Sequence, residues 1–223
     1  MNPLTLKLVA REFSMHRWMI GGSIAAGLAG LAIVARGGHM NFNIGFLFWL
    51  TTIAAFGAVL AMFGVATERK ERVLNWMLSL PISHGDYVRI KVLALLLCFL
   101  AVWIPLSGAA IAVVAIKSDL PDGLLPVTAL LCVFMLVNYS LVLSSAVHVH
   151  SEGPMTIVII AHNIAITLFL FMVVAIGDIQ RHMQGPVAVW NAAFWSVFAI
   201  ELLLFALLVC APFLIAARRR DFV

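Results

Sequence analysis

Glu201 is the one acidic or basic residue set deep inside a long apolar run of this chain. A carboxyl group in such a run is costly, turns toward a bundle interior, and is a functional candidate by default. It can line a substrate route or hydrogen-bond a neighbouring subunit, with a protonated, structurally satisfied side chain as the alternative. His148 and His150, with His162 in the next run, raise the question of a metal site. No Asp or Cys completes that set and Glu152 is the only carboxylate in reach, so no metal is expected. The Glu152-Gly-Pro sequence there suits a turn or a small partner contact better. Asn138, Tyr139, Ser140, Ser144 and Ser145 place a polar stripe on another apolar run. Such residues usually hydrogen-bond between helices in lipid, and a polar lining is the alternative. Glu201, Asn138 and Ser144 are therefore the substrate-path candidates. There is no G-x-x-x-x-G-K-[ST] run, G-x-S-x-G elbow or H-E-x-x-H pair, so neither a nucleotide site nor a catalytic site is expected.

The densest charge lies elsewhere. Residues 68–91 hold eight of the chain's 24 Asp, Glu, Lys and Arg side chains. Val73, Leu74, Met77, Leu78 and Pro81 recur on one helical face, while Glu68, Arg69, Lys70, Glu71, Arg72 and Asn75 occupy the other. Pro81 ends that helix because it has no N–H and clashes with the preceding turn. Ser83 with Asp86 reads as a capping box that opens the next helix. The segment is expected to lie as an amphipathic helix on a membrane surface between two spans, the alternative being a solvated loop that only fixes topology.

The run Leu-Asn-Trp-Met-Leu-Ser-Leu-Pro-Ile-Ser (residues 74–83), behind an acidic-basic cluster and before Tyr87 and Lys91, resembles the permease subunits of type-2 ABC transporters. The motif is degenerate, but the likeness extends to the span count and both termini. The resemblance implies that 68–90 is a cytoplasmic coupling segment docking on a separate ABC ATPase subunit, which would hold the ATP and Mg. Glu68, Arg69, Lys70, Glu71 and Arg72 would make charge pairs there, and Trp76 and Met77 would be buried anchors. It implies a second permease copy or paralogue to complete the path, no cofactor in this chain, and short re-entrant helices near 177–190.

Stepping outward, 64% hydrophobic and 11% charged residues among 223, with a mean hydropathy of +1.10, exclude an ordinary soluble domain, which carries about 25% charge. The expected fold is an all-α polytopic membrane protein in a single domain, 1–223. Six runs approach or exceed the ~20 residues that cross a hydrocarbon core of roughly 30 Å. They fall near 18–35, 43–67, 91–116, 124–147, 155–176 and 189–216. Residues 1–17 read as an amphipathic helix in the interface plane, with Leu4, Leu8, Val9 and Phe13 on one face and Lys7, Arg11, Glu12 and His16 available to lipid headgroups. An unstructured basic leader is the alternative. A cleavable signal is not expected, since the run lacks a small-residue cleavage site. The first span is rich in glycine (Gly21, Gly22, Gly27, Gly30), which suits close helix packing, and Pro105 is expected to kink the third. Cys98, Cys132 and Cys210 all sit in apolar runs and read as packing residues.

With six spans, both termini share a side with 68–91. Eleven of the 14 Lys and Arg residues fall on that side, leaving Arg36, Lys117 and Arg181 opposite. This asymmetry places both termini and the segment on the cytoplasmic side and accounts for the net charge of +4 without nucleic acid; the resemblance implies that the membrane is a bacterial inner membrane. The connections at 36–42, 117–123 and 177–188 are too short to fold as domains. The expected function is the permease subunit of an ATP-driven ABC exporter. A haem-export-type permease of cytochrome c maturation is the rival within the class, and a non-transporting membrane scaffold or sensor-associated subunit the rival outside it.

Overall fold

The computed structural model describes residues 3–67, 84–149 and 152–218. The described residues are helical and form no strand. In chain order the helices are α1 (Pro3–Ala35), α2 (His39–Ala61) running into a π-helical stretch (Met62–Thr67), α3 (His84–Ile116), α4 (Leu124–His148), α5 (Glu152–Ala175), the short α6 (Gly177–Met183) and α7 (Ala192–Arg218). All but α6 are long and apolar enough to cross a membrane, six in total. The span positions agree with the expected runs to within a few residues, apart from the extensions of α1 and α3.

Residues 1–17 were expected to form a separate interfacial helix. Instead α1 continues unbroken through Arg17 and Trp18 for 33 residues. No Gly or Pro interrupts the sequence between Pro3 and Gly21, and Pro3 occupies a first-turn position where its missing N–H is harmless. The buried stripe of α1 also differs from the expected one. Val9, Glu12 and His16 are buried on the same side as Leu31 and Val34, so Glu12 and His16 face the bundle rather than headgroups. At 1.5 Å per residue, α1 and the equally long α3 each extend about 50 Å, well beyond a core of roughly 30 Å.

Two glycine contacts set the α1–α2 crossing. A Cβ on Gly45 would lie 2.5 Å from the Gly30 carbonyl oxygen and 2.7 Å from the Val34 nitrogen. Backbone meets backbone there, a distance only small residues permit in lipid. Gly27 similarly faces Leu106 of α3, whereas Gly21 and Gly22 face outward with nothing near them. Only half of the glycine-rich run therefore packs against a neighbour.

The core lies among α2, α3 and α4. Phe99 and Tyr139 stack with ring centroids 3.9 Å apart, and Gly57 leaves room for both rings. Trp49 Nε1 donates to the Leu106 carbonyl at 3.1 Å and Trp103 Nε1 to that of Cys132 at 2.8 Å. These ties satisfy the polar atoms that large aromatic side chains carry into an apolar core. Helix α3 continues through Pro105.

Helix α4 is the centre of the bundle, touching α2, α3, α5, α6 and α7. Some 67% of its span window is buried, against 11% for α5 and α7. The outer helices turn Ile157, Ile164, Leu168 and Phe171 on α5, and Leu203, Leu207 and Leu214 on α7, away from the protein. So much outward apolar surface suits a multi-pass protein solvated by hydrocarbon. Cys98 and Cys132 are buried as expected, but Cys210 is exposed on α7.

Candidate functional site

Among the described residues, buried charged and polar side chains stand out at three places. The first is where α1 meets the beginning of α3. Lys91 Nζ donates to Glu12 Oε1 at 2.8 Å, with both side chains under one-tenth exposed. His16, one helical turn beyond Glu12, places Nε2 3.6 Å from Glu12 Oε2, too long for a hydrogen bond. Glu12 lies about 35 Å along α1 from Ala35, and Lys91 about 38 Å along α3 from Ile116, at 1.5 Å per residue. Both lengths exceed the roughly 30 Å of a hydrocarbon layer. In the sequence Glu12 falls on a face available to headgroups and Lys91 among the charges of 68–91, and neither pattern joins them. The available signal was that Glu12 and His16, four apart, fall in register with Val9 and the later packing stripe.

The second place is the α4 stripe. Asn138 Nδ2 donates to the His162 carbonyl on α5 at 3.2 Å, and the Tyr139 hydroxyl to the Leu95 carbonyl on α3 at 3.0 Å. Ser140 Oγ turns back to the Leu136 carbonyl at 2.8 Å, and Ser144 is buried. Within the stripe, Asn138 and Tyr139 thus bond to neighbouring helices, while Ser140 bonds within α4. His162 is 2% exposed, its ring beside the backbone of Asn138 and of Ala54 on α2. Neither ring nitrogen, nor Asn138 Oδ1, meets hydrogen-bond geometry.

The third place holds Glu201. It is 3% exposed, and both carboxyl oxygens lack a hydrogen-bond partner. The Cys132 thiol on α4 lies within electrostatic reach of it, and Ser107 on α3 lies beside that thiol. Glu201 lies about 13 Å along α7 from Ala192, well within a spanning depth. The three substrate-path candidates do not converge. Each six-residue step along α4, from Cys132 to Asn138 to Ser144, turns the side chain by about 120°. Glu201 meets the Cys132 face, Asn138 faces α5, and Ser144 faces elsewhere.

At the opposite end from the Glu12–Lys91 pair, the α1–α2, α3–α4 and α6–α7 connections gather around an open cleft of about 820 Å³. His39, Asn43, Asp119, Asp122, Met183 and Gln184 contribute to its walls. Gly37 and Gly38 make the α1–α2 turn with φ of 79° and 87°, a backbone region open to glycine and strained for most residues. Gly123 packs on the His182 carbonyl while its N–H donates to the Gly185 carbonyl at 3.1 Å. Helix α6 fills part of the region where short helices were expected. Asn191 then caps α7, its Oδ1 accepting from the Phe194 N–H at 2.9 Å and its Nδ2 donating to the Asp178 carbonyl at 2.8 Å. An Asn just before an apolar run is a legible N-cap signal.

Glu68, Arg69, Lys70, Glu71, Arg72, Trp76 and Met77, together with Pro81, Ser83 and His150, lie outside the described residues. Asp86 does fall in the first turn of α3, where a carboxylate suits the helix dipole. His148 Nδ1 lies 2.7 Å from the Ser144 carbonyl, a local bond at the end of α4. Among the described residues no three His, Cys, Asp or Glu side chains gather as a metal site. Compared with known proteins, the chain matches no family model, no curated protein and no solved structure.

Proposed function

We propose that this chain is the membrane-spanning permease subunit of an ATP-driven exporter of the type-2 ABC class, working with a separate ATPase and a second permease. The observation that carries this reading is the concentration of charge in 68–91, eight of 24 charged residues in a chain otherwise built for lipid. A segment of that kind between two spans, in a protein with no nucleotide motif of its own, is suited to receive force from a partner that has one. The charge asymmetry supports a cytoplasmic position for it. Six apolar helices are the number this reading needs for half of a path, and the open cleft at the far end is the exit it would use.

The test is affinity purification of the tagged chain in mild detergent with identification of its partners. A stoichiometric ATPase carrying a P-loop, lost when residues 68–80 are altered, is expected. Recovery of the chain alone, or with a partner that binds no nucleotide, would replace the transporter with a scaffold. Within the complex, Glu71→Ala with Arg72→Ala is expected to uncouple ATP hydrolysis from transport without impairing insertion. Full transport by that double variant would remove the coupling role from these two residues.

A further inference from the structure

Glu12 and Lys91 are 79 residues apart in sequence, yet they close the gap between the two longest helices near the beginning of each. Val9, Val88 and Val92 are buried around them. A buried ion pair adds little net stability over apolar residues of the same volume. What it adds is register: a charge-assisted contact at 2.8 Å has one geometry, whereas apolar ridges can slide past one another. Farther along, α1 is held by Gly27 against Leu106 of α3 and by Gly30 against Gly45 of α2. Helix α1 is thus fixed at two levels, by charge near its beginning and by close backbone packing near its end.

We infer that Glu12 and Lys91 are positioning residues forming a strut, through which displacement of the first turns of α3 is carried to α1, pivoting it about the Gly27–Gly30 contact. The source of that displacement rests on the transporter reading above. His16, on the far side of the Glu12 carboxylate, limits the orientations open to that group.

The experiment uses the full chain with its co-purified ATPase in nanodiscs, with Cys98, Cys132 and Cys210 replaced by Ala. Nitroxide labels at the exposed positions Arg11 and Arg89 report the α1–α3 distance, and labels at Arg89 and Asn163 report movement of α3 against α5. Addition of ATP and vanadate is expected to shift the Arg89–Asn163 distance while the Arg11–Arg89 distance stays narrow and constant. Lys91→Met is expected to broaden the Arg11–Arg89 distribution and to keep the nucleotide-driven shift from reaching α1. The charge swap Glu12→Lys with Lys91→Glu restores both, and Lys91→Arg, which keeps the charge, serves as the folding control. An Arg11–Arg89 distance that stays narrow in Lys91→Met, with α1 still following α3, would overturn the strut and leave the transporter reading standing. If wild-type complex shows no nucleotide-driven shift at Arg89, the transporter reading falls and the transmitting role falls with it. The nucleotide-free width of the Arg11–Arg89 distribution still separates the two failures.

Discussion

Two carboxyl groups are buried in this protein to almost the same degree, Glu12 and Glu201 at 5% and 3% exposure, and their surroundings are opposite. Glu12 sits near the beginnings of α1 and α3 with an ammonium group at 2.8 Å. Glu201 sits well along α7, within electrostatic reach of the Cys132 thiol, with neither oxygen hydrogen-bonded. Burial alone therefore does not distinguish a structural carboxyl from one that is open to another chain, a water or a cargo molecule. The partner does. A carboxylate locked to a lysine is committed to holding helices, while an uncommitted one retains its capacity for hydrogen bonds.

The largest effect is expected when that commitment is broken from one side. Lys91→Met leaves Glu12 buried without its cation, a change that typically costs about 3–5 kcal/mol, read as a lowered unfolding temperature in detergent. A loss below about 1 kcal/mol would show that water reaches the pair and screens it. Replacing both members, Glu12→Leu with Lys91→Met, is expected to recover most of that stability, since a well-packed apolar pair is often neutral or better. Failure to recover would mean that His16 or the α1 register depends on the charges themselves. Glu201→Gln should do least, shifting stability by under about 1 kcal/mol, because one unpartnered polar group replaces another of the same shape. A large loss would reveal a partner for Glu201, and would erase the contrast between the two carboxyls.

Much of this architecture was legible beforehand. Apolar runs of spanning length, separated by Gly37-Gly38, by the Asp119–Gly123 turn and by Glu152-Gly-Pro, locate all six long helices because hydrocarbon length is a coarse and demanding filter. The isolation of Glu201 was equally plain, since a single carboxyl in an apolar run needs no tertiary information to notice. The Glu12–Lys91 pair was not, because pairing across 79 residues depends on which helices become neighbours. Lys91 read as one of many positive charges near a membrane edge, and Glu12 as part of an amphipathic face whose angle was misjudged. A span beginning at Trp18 would leave Glu12 on a separate helix, but nothing between Pro3 and Gly21 stops α1. The π-helical stretch at Met62–Thr67 left no mark in the residue pattern, because one added residue per turn is a packing outcome rather than a propensity.

The central position of α4 has a consequence for biogenesis. Its Asn138 donates to a carbonyl on α5, a helix synthesised after it, while its Tyr139 donates to one on α3, synthesised before it. A chain emerging from the ribosome thus presents α4 to the bilayer with Tyr139 already provided for and Asn138 still waiting. The bonds of α4 are therefore complete only once α5 is in place, so that an outer helix, though it contributes little to the core, supplies the last partner of the innermost one.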